Sequence, residues 1–229
     1  MGLLEQGAIL LEIALINLLL SGDNAIVIAM AARRLPHRQR RRAVVWGTAA
    51  AVFLRCVLTL GAVALLRIPF LQTAGALLLL LIAFRLMAER KEKEHALASA
   101  AALSLSGAVW TIVTADFVMS LDNVLAVTAV AGGDIPLLLI GIAMSIPIVL
   151  WGSSFFMRLM DRAPWLVYAG GALLAYTAGK MVRHDAGLSA WLPPLADGRI
   201  SEALPWLFAS AMLALALAVN RRSAPRKPD

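Results

Sequence analysis

The sequence predicts an all-α membrane protein of about seven transmembrane helices, arranged as two inverted three-helix repeats and one extra C-terminal helix. Three observations predict it. First, 61% of the 229 residues are hydrophobic, only 15% are charged, and mean hydropathy is +0.81. A soluble domain lies nearer roughly 45–50% apolar and about 25% charged. Second, the apolar residues are gathered into seven long runs. Third, two polar segments embedded in those runs match each other almost a hundred residues apart.

The runs cover 8–32, 43–66, 69–88, 107–131, 135–157, 164–182 and 203–220. At 1.5 Å per residue each is long enough to cross a hydrocarbon core of ~30 Å. The first follows Met1–Gly7, which has no Lys or Arg, and it contains Glu12, Asn17, Asp23 and Asn24. A cleavable signal peptide needs a basic start and a purely apolar centre, so this run reads as a span. The second carries Arg55 and the lone cysteine, Cys56, which reads as a small buried hydrophobe. The third and sixth open on Pro69 and Pro164, and the fourth repeats the polar content of the first. Between the third and fourth, Glu89-Arg90-Lys91-Glu92-Lys93-Glu94 mixes both signs and reads as a solvated linker. The expected organisation is 1–88 as the first repeat, 89–106 as a cytoplasmic linker and 107–184 as the second repeat. An outer loop, the seventh helix and a basic tail then occupy 185–229.

Lysine and arginine give the direction of crossing. Arg33, Arg34, Arg38, Arg40, Arg41 and Arg42 follow the first run, and Arg85, Arg90, Lys91 and Lys93 follow the third. Arg158 and Arg162 follow the fifth, and Arg221, Arg222, Arg226 and Lys227 end the chain. The opposite side has only Arg67, Lys180, Arg183 and Arg199. The positive-inside bias therefore puts the N-terminus outside and the C-terminus in the cytoplasm. It also explains the net charge of +7 through the bilayer, with no need of a nucleic-acid partner.

A shift of 99 lays Asn17, Ser21, Asp23 and Asn24 on Asp116, Ser120, Asp122 and Asn123. A shift of 95 lays Pro69, Ala74 and Gly75 on Pro164, Ala169 and Gly170. Three spans per repeat is an odd number, so the second copy crosses in the opposite sense. Secondary transporters have this architecture, with their site near the midplane where the repeats meet. The seventh span falls outside the symmetry and is expected at the periphery.

Asp23 and Asp122 are both expected within roughly 5 Å of the midplane. A carboxylate there costs at least ~2.5 kcal/mol and persists only when it faces partners inside the bundle. Asn17, Ser21 and Asn24 fall at i, i+4 and i+7 and so share a helix face, as do Asp116, Ser120 and Asn123. Glu12 lies on the Asp23 face. With the two helices opposed, Asp116 comes to the depth of Asp23. Ser21-Gly22 before Asp23-Asn24 resembles a helix stop followed by a cap pair. Carboxylate, amide and hydroxyl oxygens suit Mg, Ca or Mn. His37, His95 and His184 are placed in loops, away from this cluster. Arg55 is the obvious counter-ion, as structural neutraliser or as gate. Hydrogen-bonded helix glue is the plainer account of the polar groups, and it fits single Asn or Ser residues better than paired midplane carboxylates.

Asn17–Ala31 and Asp116–Val127 resemble the two signature segments of the TerC family, in particular its shorter YjbE-like branch, within the LysE-like transporter superfamily. Arg33-Arg34-Leu35-Pro36 and Ala131-Gly132-Gly133-Asp134 fit as well. The resemblance covers about 8–185 and implies a bacterial inner-membrane protein associated with Mn2+ efflux, and in some branches with tellurite resistance. It places functional weight on Asp23, Asn24, Asp122 and Asn123, then on Asp116 and Asn17. The resulting expectation is a secondary Mn2+ exporter working by alternating access. Its ligands are Asp23, Asp122 and Asp116, assisted by Asn24, Asn123, Asn17, Ser21 and Ser120, with Glu12 and Arg55 as accessories. No permanently bound cofactor is expected, and Mn2+ is the cargo. The alternatives are export of a cationic amino acid or other small solute, and a non-transporting scaffold that recruits partners through its basic loops. No nucleophile–base pair lies within the spans and no phosphate-binding loop is present, so an enzyme is not expected.

Overall fold

Apolar runs of this length, without the alternation of a half-buried strand, satisfy their backbone internally only as helices. The computed structural model describes residues 22–65, 68–88, 104–131, 135–185, 187–188 and 199–222, and no strand occurs among them. Seven helices are described: α1 (22–33), α2 (His37–Leu65), α3 (Leu71–Met87), α4 (Leu105–Ala131), α5 (Ile135–Arg162), α6 (Leu166–His184) and α7 (Arg199–Arg222). By length and composition His37–Thr59, Ile142–Arg162 and Ser201–Asn220 are able to cross a membrane, and Leu71–Met87 and the stretch Leu105–Leu121 of α4 are apolar as well.

Several boundaries depart from the expected ones. α2 begins six residues before 43, because Pro36 opens it and arginine is a good helix former. Gln39 N–H donates to Pro36 O at 2.8 Å, and Arg40 Nε donates to Leu35 O at 3.0 Å. Arg38, Arg40, Arg41 and Arg42 therefore stand on the first turns of a helix, not in a loop. His37 and His184 are likewise helix-end residues. At the other end of the bundle layer, α5 runs on to Arg162, so Arg158 is helical too. α4 starts at Leu105, two residues early, with Ser104 Oγ accepting Gly107 N–H at 3.0 Å.

Cross-helix contacts fix the relative directions. Arg40 pairs with Asp161 at 2.8 Å, so the start of α2 meets the end of α5 and the two run antiparallel. Arg34 at the end of α1 donates through Nη2 to the carbonyls of Arg85, Leu86 and Ala88, at 2.7, 2.8 and 3.1 Å. Those are final carbonyls of α3 with no acceptor role inside the helix, and the guanidinium sits at the negative end of its dipole. α3 and α6 are antiparallel and close: Gly75 faces Met181, and Gly171 faces Met87. α7, expected at the periphery, packs intimately on α6. A Cβ at Gly179 would lie 2.5 Å from Pro205 Cα, and Tyr176 meets the Trp206 ring edge-on at 4.9 Å. Asn220 Nδ2 donates to Tyr168 Oη at 2.7 Å. The outer side of α7 stays apolar and exposed at Trp206, Leu207 and Leu215.

Asp185 joins α6 to the start of α3. Its Oδ1 accepts the N–H groups of Phe70, Gly187 and Leu188, at 3.2, 2.8 and 3.0 Å. Its Oδ2 accepts Thr73 N–H at 2.8 Å. The carboxylate is a cap for α3 supplied from another element, at the turn where Phe70 has φ 62. Burial by itself raises the Asp185 carboxyl, but the N–H donors of Thr73, Leu188 and Phe70 outweigh it and hold the group below its usual value of 3.8.

Candidate functional site

Three helices bring polar side chains together inside an otherwise apolar core. α2 contributes Arg55, α4 contributes Asp116 and Ser120, and α1 contributes Asp23 and Asn24. α2 and α4 can lie close because Gly47 leaves room for Ile112, two turns before Arg55. Arg55 Nη2 donates to Asp116 Oδ1 at 2.5 Å, and Arg55 Nε donates to Ser120 Oγ at 3.1 Å. Ser120 Oγ donates in turn to Asp116 Oδ2 at 3.2 Å, one helical turn away. Arg55, Asp116 and Ser120 are 6%, 8% and 0% exposed, so the guanidinium fork and the carboxylate face each other without bulk water.

Asp23 borders this network. Arg55 and Asp116 are both near enough to act on it by Coulomb interaction. Its Oδ1 accepts Asn24 N–H at 2.8 Å. Asp23 is half-buried and Asn24 is buried. Asp23 lies ten residues before the end of α1, and Asp116 eleven after the start of α4. Each therefore stands about 15 Å along its helix from residue 33 or residue 105.

Of the predicted site residues, Asp116, Ser120 and Arg55 are joined by hydrogen bonds, with Asp23 and Asn24 adjoining. Glu12, Asn17 and Ser21 lie outside the described residues, and so do the side chains of Asp122 and Asn123 on α4. Among the described residues no three His, Cys, Asp or Glu side chains are grouped as metal ligands would be. Sequence reasoning passed over Thr48 and Thr59, both buried on α2. Thr59 Oγ1 donates to Arg55 O at 2.7 Å. The signal was present: Thr48, Arg55 and Thr59 are spaced seven and four apart, which is one helix face.

What the arrangement can do follows from its charges. Two carboxylates at one level, oxygen-rich and largely dry, attract a cation. An internal cation, Arg55, already lies on one of them. Any incoming cation that uses Asp116 must displace the guanidinium or share the carboxylate with it.

Residues 3–226 match the family described as integral membrane protein TerC family. Of its relatives, the uncharacterized membrane protein YjbE of Bacillus subtilis (strain 168) is 46% identical over 198 residues, covering 86% of this chain and 88% of that protein. The uncharacterized membrane proteins YkoY and YceF of the same organism are 26% and 29% identical. These matches cover 80% and 71% of this chain, and 61% and 66% of those proteins. No solved structure matches the chain.

Proposed function

Because the chain belongs to the TerC family of integral membrane proteins, we propose that it is a secondary transporter that exports a divalent metal ion, Mn2+, across the bacterial inner membrane by alternating access. The observation that carries this reading is the buried Arg55–Asp116–Ser120 network beside Asp23, held at one depth by helices α1 and α4. Burying these charges is costly, and a purely structural core would be served as well by apolar residues. Hard oxygen donors favour Mn2+ over softer cargo. The proposed ligands are Asp23, Asp116 and Asp122, with Asn17, Ser21, Asn24, Ser120 and Asn123 in support.

The inverted repeat of this proposal is supported by a paired contact. Gly75 of α3 packs on Val118 of α4, the first helix of the opposite repeat. Its counterpart Gly170 of α6 packs on Ile26 and Met30 of α1, again the first helix of the opposite repeat. The basic ends of α1, α2, α3 and α5 face the cytoplasm in this reading, and the N-terminus lies outside. Arg55 neutralises Asp116 while the carrier returns without cargo, so the empty site crosses the low-dielectric core with less uncompensated charge.

One observation favours a second reading. The described oxygens already hold a guanidinium, which is the head group of arginine. A cationic amino acid is thus the alternative cargo. Flux into proteoliposomes separates the two: Mn2+ uptake that arginine does not inhibit supports metal export, and the reverse supports amino-acid export. In a metal-sensitive strain, Asp23→Asn is expected to abolish protection against Mn2+. Unchanged intracellular Mn2+ with that variant would remove Asp23 from the ligand set.

A further inference from the structure

The antiparallel pair α2 and α5 leaves a groove of about 520 Å³ where the start of one meets the end of the other. Its mouth is basic: His37, Arg40, Arg41 and Arg158 stand around it, against one acid, Asp161. Asp161 is taken by Arg40, whereas Arg41 and Arg158 have no acidic partner among the described residues. Arg158 directs Nε to Ser154 O at 3.3 Å. The mouth also lies at the N-terminus of the 29-residue helix α2, whose dipole favours an anion. Away from the mouth the walls turn apolar, with Val45, Leu150 and Trp151 in the lining. Trp151 lies seven residues, or about 10 Å, from Arg158 along α5. It is 85% exposed, so this wall opens sideways to whatever surrounds the bundle.

We propose that this groove is a binding site for an anionic phospholipid, with the phosphate at Arg41, Arg158 and the start of α2, and an acyl chain along Val45 and Trp151. Each half of the groove matches one half of that ligand. A basic recess alone would take any anion, and an apolar recess alone would take any chain. The two joined at the level where apolar helix gives way to arginine coincide with the headgroup boundary of a bilayer. The site is distinct from the Arg55–Asp116 network and does not depend on the cargo.

The test is native mass spectrometry of the full-length protein in detergent, titrated with phosphatidylglycerol and with phosphatidylethanolamine of identical acyl chains. Wild type is expected to bind phosphatidylglycerol roughly tenfold more tightly, from two unpaired arginines near one phosphate. R41A/R158A is expected to bind both lipids equally, whereas R162A, one turn from Arg158 but outside the lining, keeps the preference. Inorganic phosphate at millimolar concentration is expected not to displace the lipid. Equal binding of the two lipids by wild type overturns the proposal, and so does an undiminished preference in R41A/R158A. Displacement by phosphate alone would reassign the site to a soluble anion. If the alanine pair does not purify as a monodisperse protein, R41Q/R158Q gives the same readout with less loss of packing.

Discussion

Replacing Arg55 with glutamine takes the only described cation away from Asp116 and leaves a carboxylate with Ser120 as its remaining described hydrogen-bond donor. Breaking a buried ion pair by removing one partner costs about 3–5 kcal/mol, because the survivor stays desolvated and uncompensated. Removing both charges together is often close to neutral. At roughly 2–4 °C per kcal/mol for a chain of this size, R55Q is expected to lower the Tm of the detergent-purified protein by at least ~6 °C. R55Q/D116N should recover most of that loss, giving a large coupling energy in a double-mutant cycle. The same pair of variants reports on cargo. In the proposed function Mn2+ would displace the guanidinium in wild type, or share the carboxylate with it, but would meet no internal competitor in R55Q. A cation at a hundred times its Kd contributes ~2.7 kcal/mol, so saturating Mn2+ should raise the Tm of R55Q more than that of wild type, and should leave R55Q/D116N unmoved. Additive losses in the cycle would refute the ion pair as the dominant interaction. A Tm of R55Q that ignores Mn2+ would refute Arg55 as the cation's stand-in.

Two further outcomes follow from the packing and the capping. Asp185→Asn removes a carboxylate that accepts four N–H groups, and at about 1.5–3 kcal/mol for a charged hydrogen bond the loss should be plain near neutral pH in thermal unfolding. Since Asp185 is held below its usual value, its contribution is complete above 3.8 and is lost as pH falls below that; the wild-type and D185N curves should converge there and stay apart above it. Gly179→Ala and Gly171→Ala both introduce a Cβ into a helix contact, yet the first should be worse. The Gly179 Cβ meets Pro205 Cα at 2.5 Å and the carbonyl of Leu204, which move only with the α7 backbone, whereas the Gly171 Cβ meets the side chain of Met87. Overpacking costs of ~1–3 kcal/mol are expected for G179A, and less for G171A because methionine repacks. Equal Tm losses would contradict this ranking.

The long elements were legible in the sequence because apolar length and helical period carry the information directly. Six of the seven expected runs coincide with described helices to within six residues at either end, and the described end of the first, at residue 33, lies one residue from its expected end. The face shared by Asp116 and Ser120 was legible for the same reason, and Arg55 could be singled out as a charge with nowhere to go but inward. The capping was not legible. Asp185 binds backbone N–H groups of a turn 112–115 residues away, and backbone amides have no residue-type signature. Arg34 reads in the sequence as one more inside positive charge, although it closes the end of α3. The early start of α2 was hidden because a run of arginines looks like a loop beside a membrane, while Pro36 followed by good helix formers permits a helix.

The clasp at Asp185 bears on how the molecule can move. It ties the first turn of α3 to the last of α6, and Gly75 and Gly171 seal the same two helices along their length. A pair fastened in this way tilts as one body, so in the proposed transport cycle opening the site to either side would come from α1, α2, α4 and α5 swinging about it. In the proposed transporter the described residues of the candidate site all belong to those swinging helices, which would leave α3 and α6 as the pivot of the movement.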